Sequence, residues 1–276
     1  MKALIKRTIS GIVFLVVMSL GIIWSRESFG LLFMVVTYFS IKELYSMALG
    51  RRFVIQQYLG LFAALMIFGA VADWRLYGDA PHLLVWGLLL LLLIPVSSVF
   101  FREREGFSDI GVIYAGLLYI CLPVCLLTLL VMDGPVYDGY LLLSFFIIIW
   151  ASDVGAYCLG GLLGQRPGAW RLAPEISPKK SWWGVLGGVL LSIGAACILC
   201  RLTWIPFGYV HGIALALVLS LGGVCGDLFE SEWKRNFGVK DSGKIIPGHG
   251  GMLDRFDSSF VGLPLAVVYL LVFSLI

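Results

Sequence analysis

The chain has 276 residues, of which 60% are hydrophobic and only 13% charged, with a formal net charge of +3 at pH 7 and a mean hydropathy of +0.96. That balance excludes a water-soluble globule, whose surface needs far more polar side chains. The runs also lack the apolar–polar alternation of a membrane β-barrel, which leaves an all-α, polytopic helical membrane protein.

About nine transmembrane helices are predicted, near residues 8–25, 29–48, 54–73, 82–101, 109–131, 138–160, 183–203, 206–229 and 260–276. Each approaches the roughly 20 apolar residues that cross a bilayer core. The first begins with the basic stretch MKALIKR, as a signal peptide would. It lacks an A-x-A-like cleavage site and its apolar run is long, so it is read as a retained span. In the second span Lys42 and Glu43 interrupt the apolar pattern. An ionisable group at the bilayer centre costs about 3 kcal/mol on insertion scales, so both are expected near the cytoplasmic end, snorkelling to the interface.

The loops of the first half are short (MALGRR, REREGFSD, MDGPVYDGY), and residues 1–135 read as membrane scaffold. Residues 136–276 form a second domain, which carries the chemistry on two longer polar loops, 161–182 and 230–259. Basic residues set the orientation. With a cytoplasmic N-terminus, one side holds Lys2, Lys6, Arg7, Arg51, Arg52, Arg102, Arg104, Arg166, Arg171, Lys179, Lys180, Lys234, Arg235, Lys240, Lys244 and Arg255, against Arg26, Arg75 and Arg201 on the other. Both long loops then face the cytoplasm. Cys121, Cys125, Cys158, Cys197, Cys200 and Cys225 all fall in or at the ends of apolar spans, without histidine neighbours, and read as small buried hydrophobes rather than metal ligands. No inverted repeat of the transporter type is visible.

Loop 161–182 is too rich in Gly and Pro for a long helix, and Lys179 and Lys180 make it suited to an anion. Asp153 and Asp227 each sit at the cytoplasmic end of an apolar run, where a carboxylate faces a cavity, a cation or a partner. If the eighth helix continues, Asp227, Ser231 and Lys234 share one face. If MLDRFDSSF begins the last helix, Asp254 and Asp257, three apart, share another, and the N–H groups of Gly250 and Gly251 would precede that helix, a place that suits a phosphate. Several carboxylates without a His or Cys cluster indicate a hard divalent cation such as Mg²⁺. Flanking Lys and Arg indicate phosphate groups. Walker A and kinase motifs are absent. Metal-assisted phosphoryl or nucleotidyl transfer at the cytoplasmic membrane surface follows, with one substrate in the lipid.

The stretch SEWKRNFGVKDSGKIIPGHGGMLDRFDS resembles the signature of phosphatidate cytidylyltransferases, the CDP-diacylglycerol synthases. The fixed positions of that signature fall on Ser231, Lys234, Arg235, Lys240, Asp241, Gly243, Ile246, Pro247, His249, Gly250, Gly251, Asp254, Arg255 and Asp257. The upstream LAPEISPKKSWWGVLGG also resembles the family, with Ser181 and Trp183 standing where Thr and Glu are usual. The resemblance implies transfer of CMP from CTP to phosphatidic acid, giving CDP-diacylglycerol and pyrophosphate. It implies Mg²⁺ on Asp227 and Asp254, with Asp257 behind them or on a second cation. Lys234, Arg235, Lys240 and Arg255 would serve the phosphates, and Asp241 and His249 complete the catalytic set. Substrate would be bound by Asp153, Ser177, Lys179, Lys180, Ser231, Gly250 and Gly251.

The expected partners are CTP, phosphatidic acid and the bilayer, with a homodimer left open and no nucleic acid. The expected location is a bacterial inner membrane, with the active site facing the cytoplasm. Two other readings stay open: a related CTP-dependent lipid enzyme (a polyprenol or dolichol kinase, or an ether-lipid CDP synthase), and a cation-coupled transporter. A catalytically dead scaffold of the same fold is kept alive by Trp183.

Overall fold

A backbone in hydrocarbon must satisfy its own hydrogen bonds, and the apolar runs accordingly form helices. The computed structural model describes residues 2–79, 81–100, 107–133, 136–246, 248 and 250–276, without the side chains of 2–7, 107, 108 and 133. Arg102, Arg104, Pro247 and His249 therefore lie outside the described residues, as do the side chains of Lys2, Lys6 and Arg7. Among the described residues eight helices are long and apolar enough to cross a membrane, and Thr8–Ile23 is a shorter apolar helix. The chain is an integral membrane protein of the all-α kind.

The chain divides into two compact units, residues 1–137 with 241–255, and residues 138–240 with 256–276. Segment 241–255, expected to lie in the second domain, thus groups with the first half of the chain. The first unit contains α1 (Lys2–Ile23), α2 (Arg26–Leu49), α3 (Val54–Tyr77) and α4 (His82–Phe100). Helix α2 starts earlier than its apolar run because Ser25 and Ser28 cap it reciprocally, at 3.2 and 2.9 Å. The fifth predicted span is not one regular helix. It runs as α5 (Phe107–Gly116), a π-helical turn (Leu117–Cys121), α6 (Leu122–Leu126) and a 3₁₀ turn (Leu127–Leu130). Pro123, near the start of α6, lacks the N–H that a regular ladder needs there. A short hairpin of β1 (Met132–Asp133) and β2 (Val136–Tyr137) follows.

Polar contacts tie the helix ends of this unit. Arg26 donates to the Leu76 carbonyl at 2.6 Å and Tyr77 to Glu27 at 2.8 Å. Arg52 pairs with Asp109 at 2.7 Å. Lys42 is exposed, with its ammonium 5.5 Å from the Tyr38 ring centroid. Glu43 departs from expectation: it does not snorkel but is buried, at 6% exposure.

The second unit contains α7 (Tyr140–Leu162), a hairpin of β3 (Arg171–Ala173) and β4 (Ser177–Ser181), α8 (Trp182–Arg201) and α9 (Gly208–Asn236). After the short turn α10 (Leu253–Phe256), α11 (Ser259–Val272) completes it. Helix α7 packs on α8, α8 on α9 and α9 on α11. The α7–α8 contact depends on small residues, as helix contacts in membranes do: a Cβ at Gly155 would lie 2.2 Å from the Gly187 carbonyl oxygen. Of the cysteines, Cys121 and Cys125 are buried as expected, Cys197 and Cys200 are half-buried, and Cys158 and Cys225 are exposed on the helix surface instead.

Candidate active site

The site of the second unit is built where α7, α9 and the β3–β4 hairpin meet. Helix α9 runs two turns beyond its predicted end, which carries Asp227, Ser231 and Lys234 on one continuous helix. Ser231 donates to Asp227 Oδ1 at 3.4 Å, as the shared face requires. The other carboxylate oxygen, Oδ2, holds Lys180 Nζ at 2.6 Å, with both side chains partly exposed.

The hairpin exists because Gly and Pro break the helix and the strands pair Arg171 with Ser181 and Ala173 with Ser177. Gln165 fastens it to the end of α7, donating to the Lys179 carbonyl at 2.9 Å and accepting from Arg171 at 3.0 Å. Ser181 ends the hairpin and caps α8, accepting from Gly184 N–H at 3.2 Å. Threonine, the more usual residue there, would cap equally well. The substitution is therefore conservative.

These elements enclose a cavity of about 490 Å³, within the range of roughly 300–1,000 Å³ found for small-molecule sites. Asp153, Lys179, Lys180, Asp227 and Ser258 supply its polar wall, while Ile149, Val185 and Leu219 supply apolar wall. On one side Ser152 and Ser220 satisfy each other across α7 and α9 at 2.8 Å. Asp257 stands close to Asp227, since a Cβ on Gly226 would lie 2.3 Å from the Asp257 carbonyl oxygen. Asp227, Glu230 and Asp153 each act electrostatically on Asp257. Among the described residues no three His, Cys, Asp or Glu side chains converge into a ready-made metal centre. The oxygen-only donor set still fits Mg²⁺, which is bound by one or two carboxylates together with substrate phosphates and water.

Other expected residues are placed differently. Lys234 is buried and pairs with Glu230 one turn back at 3.0 Å, so its ammonium is already held. Arg235 is exposed and donates to the Val239 carbonyl at 3.0 Å. Lys240, Asp241 and Arg255 are exposed, and Ser177 is half-buried on β4. His249 lies outside the described residues. Asp254 belongs to the first unit, where its Oδ2 accepts from Ser242 N–H at 2.9 Å and Gly251 N–H at 2.8 Å. The Gly251 N–H expected to meet a phosphate is thus occupied by Asp254, and the Gly250 carbonyl accepts from Ile246 N–H at 2.9 Å. The helix after them, α10, is only 4 residues long and ends at Phe256, and α11 starts at Ser259, so Asp254 and Asp257 do not share one face of a last helix as expected.

Sequence reading missed Gln165 and Glu230, and it expected a snorkelling Glu43 where the side chain is buried. Glu230 was detectable from its spacing of four to Lys234. Gln165 left no signal, because its partners, the Lys179 carbonyl and the Arg171 guanidinium, belong to a hairpin that the sequence does not announce.

Residues 5–273 match the family described as the Cytidylyltransferase family. A phosphatidate cytidylyltransferase of Bacillus subtilis is 37% identical over 190 residues, covering 68% of this chain and 66% of the relative. One of Haemophilus influenzae is 36% identical over 234 residues, covering 77% and 78%. One of Staphylococcus haemolyticus is 32% identical over 237 residues, covering 84% and 85%.

Proposed function

The chain belongs to the cytidylyltransferase family, and from that premise we propose that the 490 Å³ cavity of the second unit is where it joins a nucleotide to a lipid. The enzyme transfers CMP from CTP to phosphatidic acid, giving CDP-diacylglycerol and pyrophosphate. A phosphatidate oxygen attacks the α-phosphorus of CTP, a new P–O bond forms, and the bond to the β-phosphate bridging oxygen breaks. The nucleophile is already an anion, so no strong base is needed. The remaining tasks are to bring two polyanions together in line and to neutralise the pyrophosphate as it leaves.

The chain's own residues suit those tasks. Lys180 and Lys179 offer two cations from one hairpin strand to the phosphates. Asp227 holds Lys180 in place at 2.6 Å, which keeps the ammonium at the cavity wall before the nucleotide arrives. Asp227, with Asp257 beside it, is our candidate ligand for Mg²⁺. When bound, that ion would offset charge on the triphosphate and on the leaving pyrophosphate. The apolar wall suits the lipid partner. One observation carries this reading: a cation–carboxylate pair and apolar helix surface line one cavity. The test is purified protein in detergent with CTP, Mg²⁺ and phosphatidic acid, scored for lipid-linked CMP. Product on polyprenol instead, or substrate flux into proteoliposomes without CTP, would turn the reading to a lipid kinase or a transporter.

We place the active face in the cytoplasm of a bacterial cell, at its cytoplasmic membrane. Sixteen of the 20 Lys and Arg residues support that orientation. In a cysteine-free background, cysteines at the exposed positions Glu175 and Lys244 should be labelled only from the cytoplasmic side, and one at Thr203 only from outside. Labelling of Glu175→Cys or Lys244→Cys by an impermeant reagent on intact cells would reverse it.

Trp183 does not impair the enzyme in this reading. With Trp170 and Trp182 it lines a second, aromatic hollow of about 360 Å³, and all three indoles are exposed. Indoles at such a depth anchor a helix to the membrane interface. The Trp183→Glu variant should be neutral or slower, because the added carboxylate repels the polyanionic substrates. Initial rates against CTP concentration decide it, and a several-fold gain would mark this chain as an impaired member of its family.

A further inference from the structure

Among the described residues of the first half, Glu43 is a buried carboxylate to which the transfer reaction gives no role. It lies inside the apolar helix α2 and is 6% exposed, and Ile41, Leu44 and Tyr45 of the same helix are buried as well. A carboxylate there is expensive unless something is gained by keeping it. Its oxygen Oε2 accepts from Leu253 N–H at 2.9 Å and from the Ser242 hydroxyl at 3.1 Å. These donors are 210 and 199 residues away in sequence and stand near the two ends of segment 241–255. One carboxylate oxygen therefore closes the segment like a clasp.

The segment is shaped to receive it. A Cβ at Gly243 would lie 2.3 Å from Glu43 Oε1, and one at Gly251 would lie 2.2 Å from Oε2. Both glycines are needed because the Glu43 carboxylate occupies the space a side chain would take. Ser242 links this clasp to Asp254: its hydroxyl goes to Glu43 and its backbone N–H to Asp254 Oδ2, at 2.9 Å. Gly251 likewise presses on Glu43 while donating its N–H to Asp254 at 2.8 Å. Any shift of Glu43 is thus passed to Asp254 through two neighbours.

The geometry points to Glu43 as the positioning residue of the signature segment, holding Asp254 in its working orientation through Ser242, Gly251 and Leu253. The inference rests on the cytidylyltransferase reading together with the metal-ligand role that the signature's resemblance implies for Asp254, which makes its orientation matter to turnover. Glu43 itself touches no substrate. Misplacing a reacting group by a fraction of its working distance can cost up to about 100-fold. Because the hydrogen bonds use only one oxygen as acceptor, a glutamine can keep both.

Two measurements test this together. In the CTP and phosphatidate assay, Glu43→Ala should lower kcat by about tenfold or more while leaving KM for CTP within about twofold. Glu43→Gln should regain most of the loss. In a cysteine-free background, a cysteine at half-buried Met252 should be alkylated several-fold faster in Glu43→Ala than in the parent or in Glu43→Gln. A loss confined to KM, equal loss in the Ala and Gln variants, or unchanged alkylation would each overturn the proposal. Should Glu43→Ala fail to accumulate, Ser242→Ala keeps Glu43 and removes one of the two bonds. It should lose several-fold in kcat and gain in Met252→Cys labelling, and a Ser242→Ala enzyme like the parent would overturn the proposal equally. A parent inactive on CTP and phosphatidate counts against the assigned reaction, and the alkylation rates alone then decide the role of Glu43.

Discussion

Asp227→Asn is expected to reduce turnover by about 100-fold or more, the scale on which removal of one preorganised electrostatic partner acts on a transition state. Asparagine keeps the volume of the side chain and can still accept from Ser231, which donates to Oδ1 at 3.4 Å. What it loses is the charge that holds Lys180 Nζ at 2.6 Å and that would meet a divalent cation. The Asp227 side chain is 37% exposed, so the fold should tolerate the change and the protein should extract and melt like the parent. A Lys180→Ala change added to Asp227→Asn should cost less than it does alone, because the two residues act as a pair. Near-normal rates for Asp227→Asn with saturating CTP would remove Asp227 from the mechanism.

Asp254→Asn should be comparably severe, for a different structural reason. The resemblance implies a metal-ligand carboxylate here, and the structure adds a second duty: Oδ2 accepts from both Ser242 and Gly251 N–H groups. An asparagine oxygen can keep both bonds, so the Asn variant isolates the charge and should lose turnover by about 100-fold without unfolding. Asp254→Ala should also lose stability, because each buried N–H left without an acceptor costs about 1–3 kcal/mol. Thermal melts of the two variants beside their rates separate the roles. An Asn variant with near-parental rate would leave Asp254 as a structural residue only.

The signature segment shows how far a sequence pattern can carry. Its spacing gave the family resemblance and singled out Asp227, Asp254 and Asp257. It did not say that Lys234, a fixed position of the same signature, is buried against Glu230 at 3.0 Å. Nor did it say that the Gly251 N–H serves Asp254 rather than an anion. A pattern records which residue types stand at which intervals, and the partner of each is a matter of packing. Lys179 and Lys180 illustrate the same point. Their suitability for an anion was legible from composition, while the hairpin that presents them depends on Gln165 and on the pairing of Arg171 with Ser181.

By itself the sequence determined the solvent, the spans and the reaction type. Hydropathy is a local property, and in a bilayer the need to satisfy every backbone group leaves a helix as the outcome for each long apolar run. The spans were therefore readable to within a few residues, except where caps such as Ser25, or the proline at 123, moved or broke a helix. Only the tertiary structure decided which side chains meet. Lys180 found Asp227 across the fold, and Glu43 found Ser242 and Leu253. Glu43 looked like a snorkelling charge because one-dimensional reading sees an isolated carboxylate in an apolar run. In three dimensions its desolvation is offset by hydrogen bonds from donors 199 and 210 residues away, and no periodicity within a single helix encodes a partner so distant.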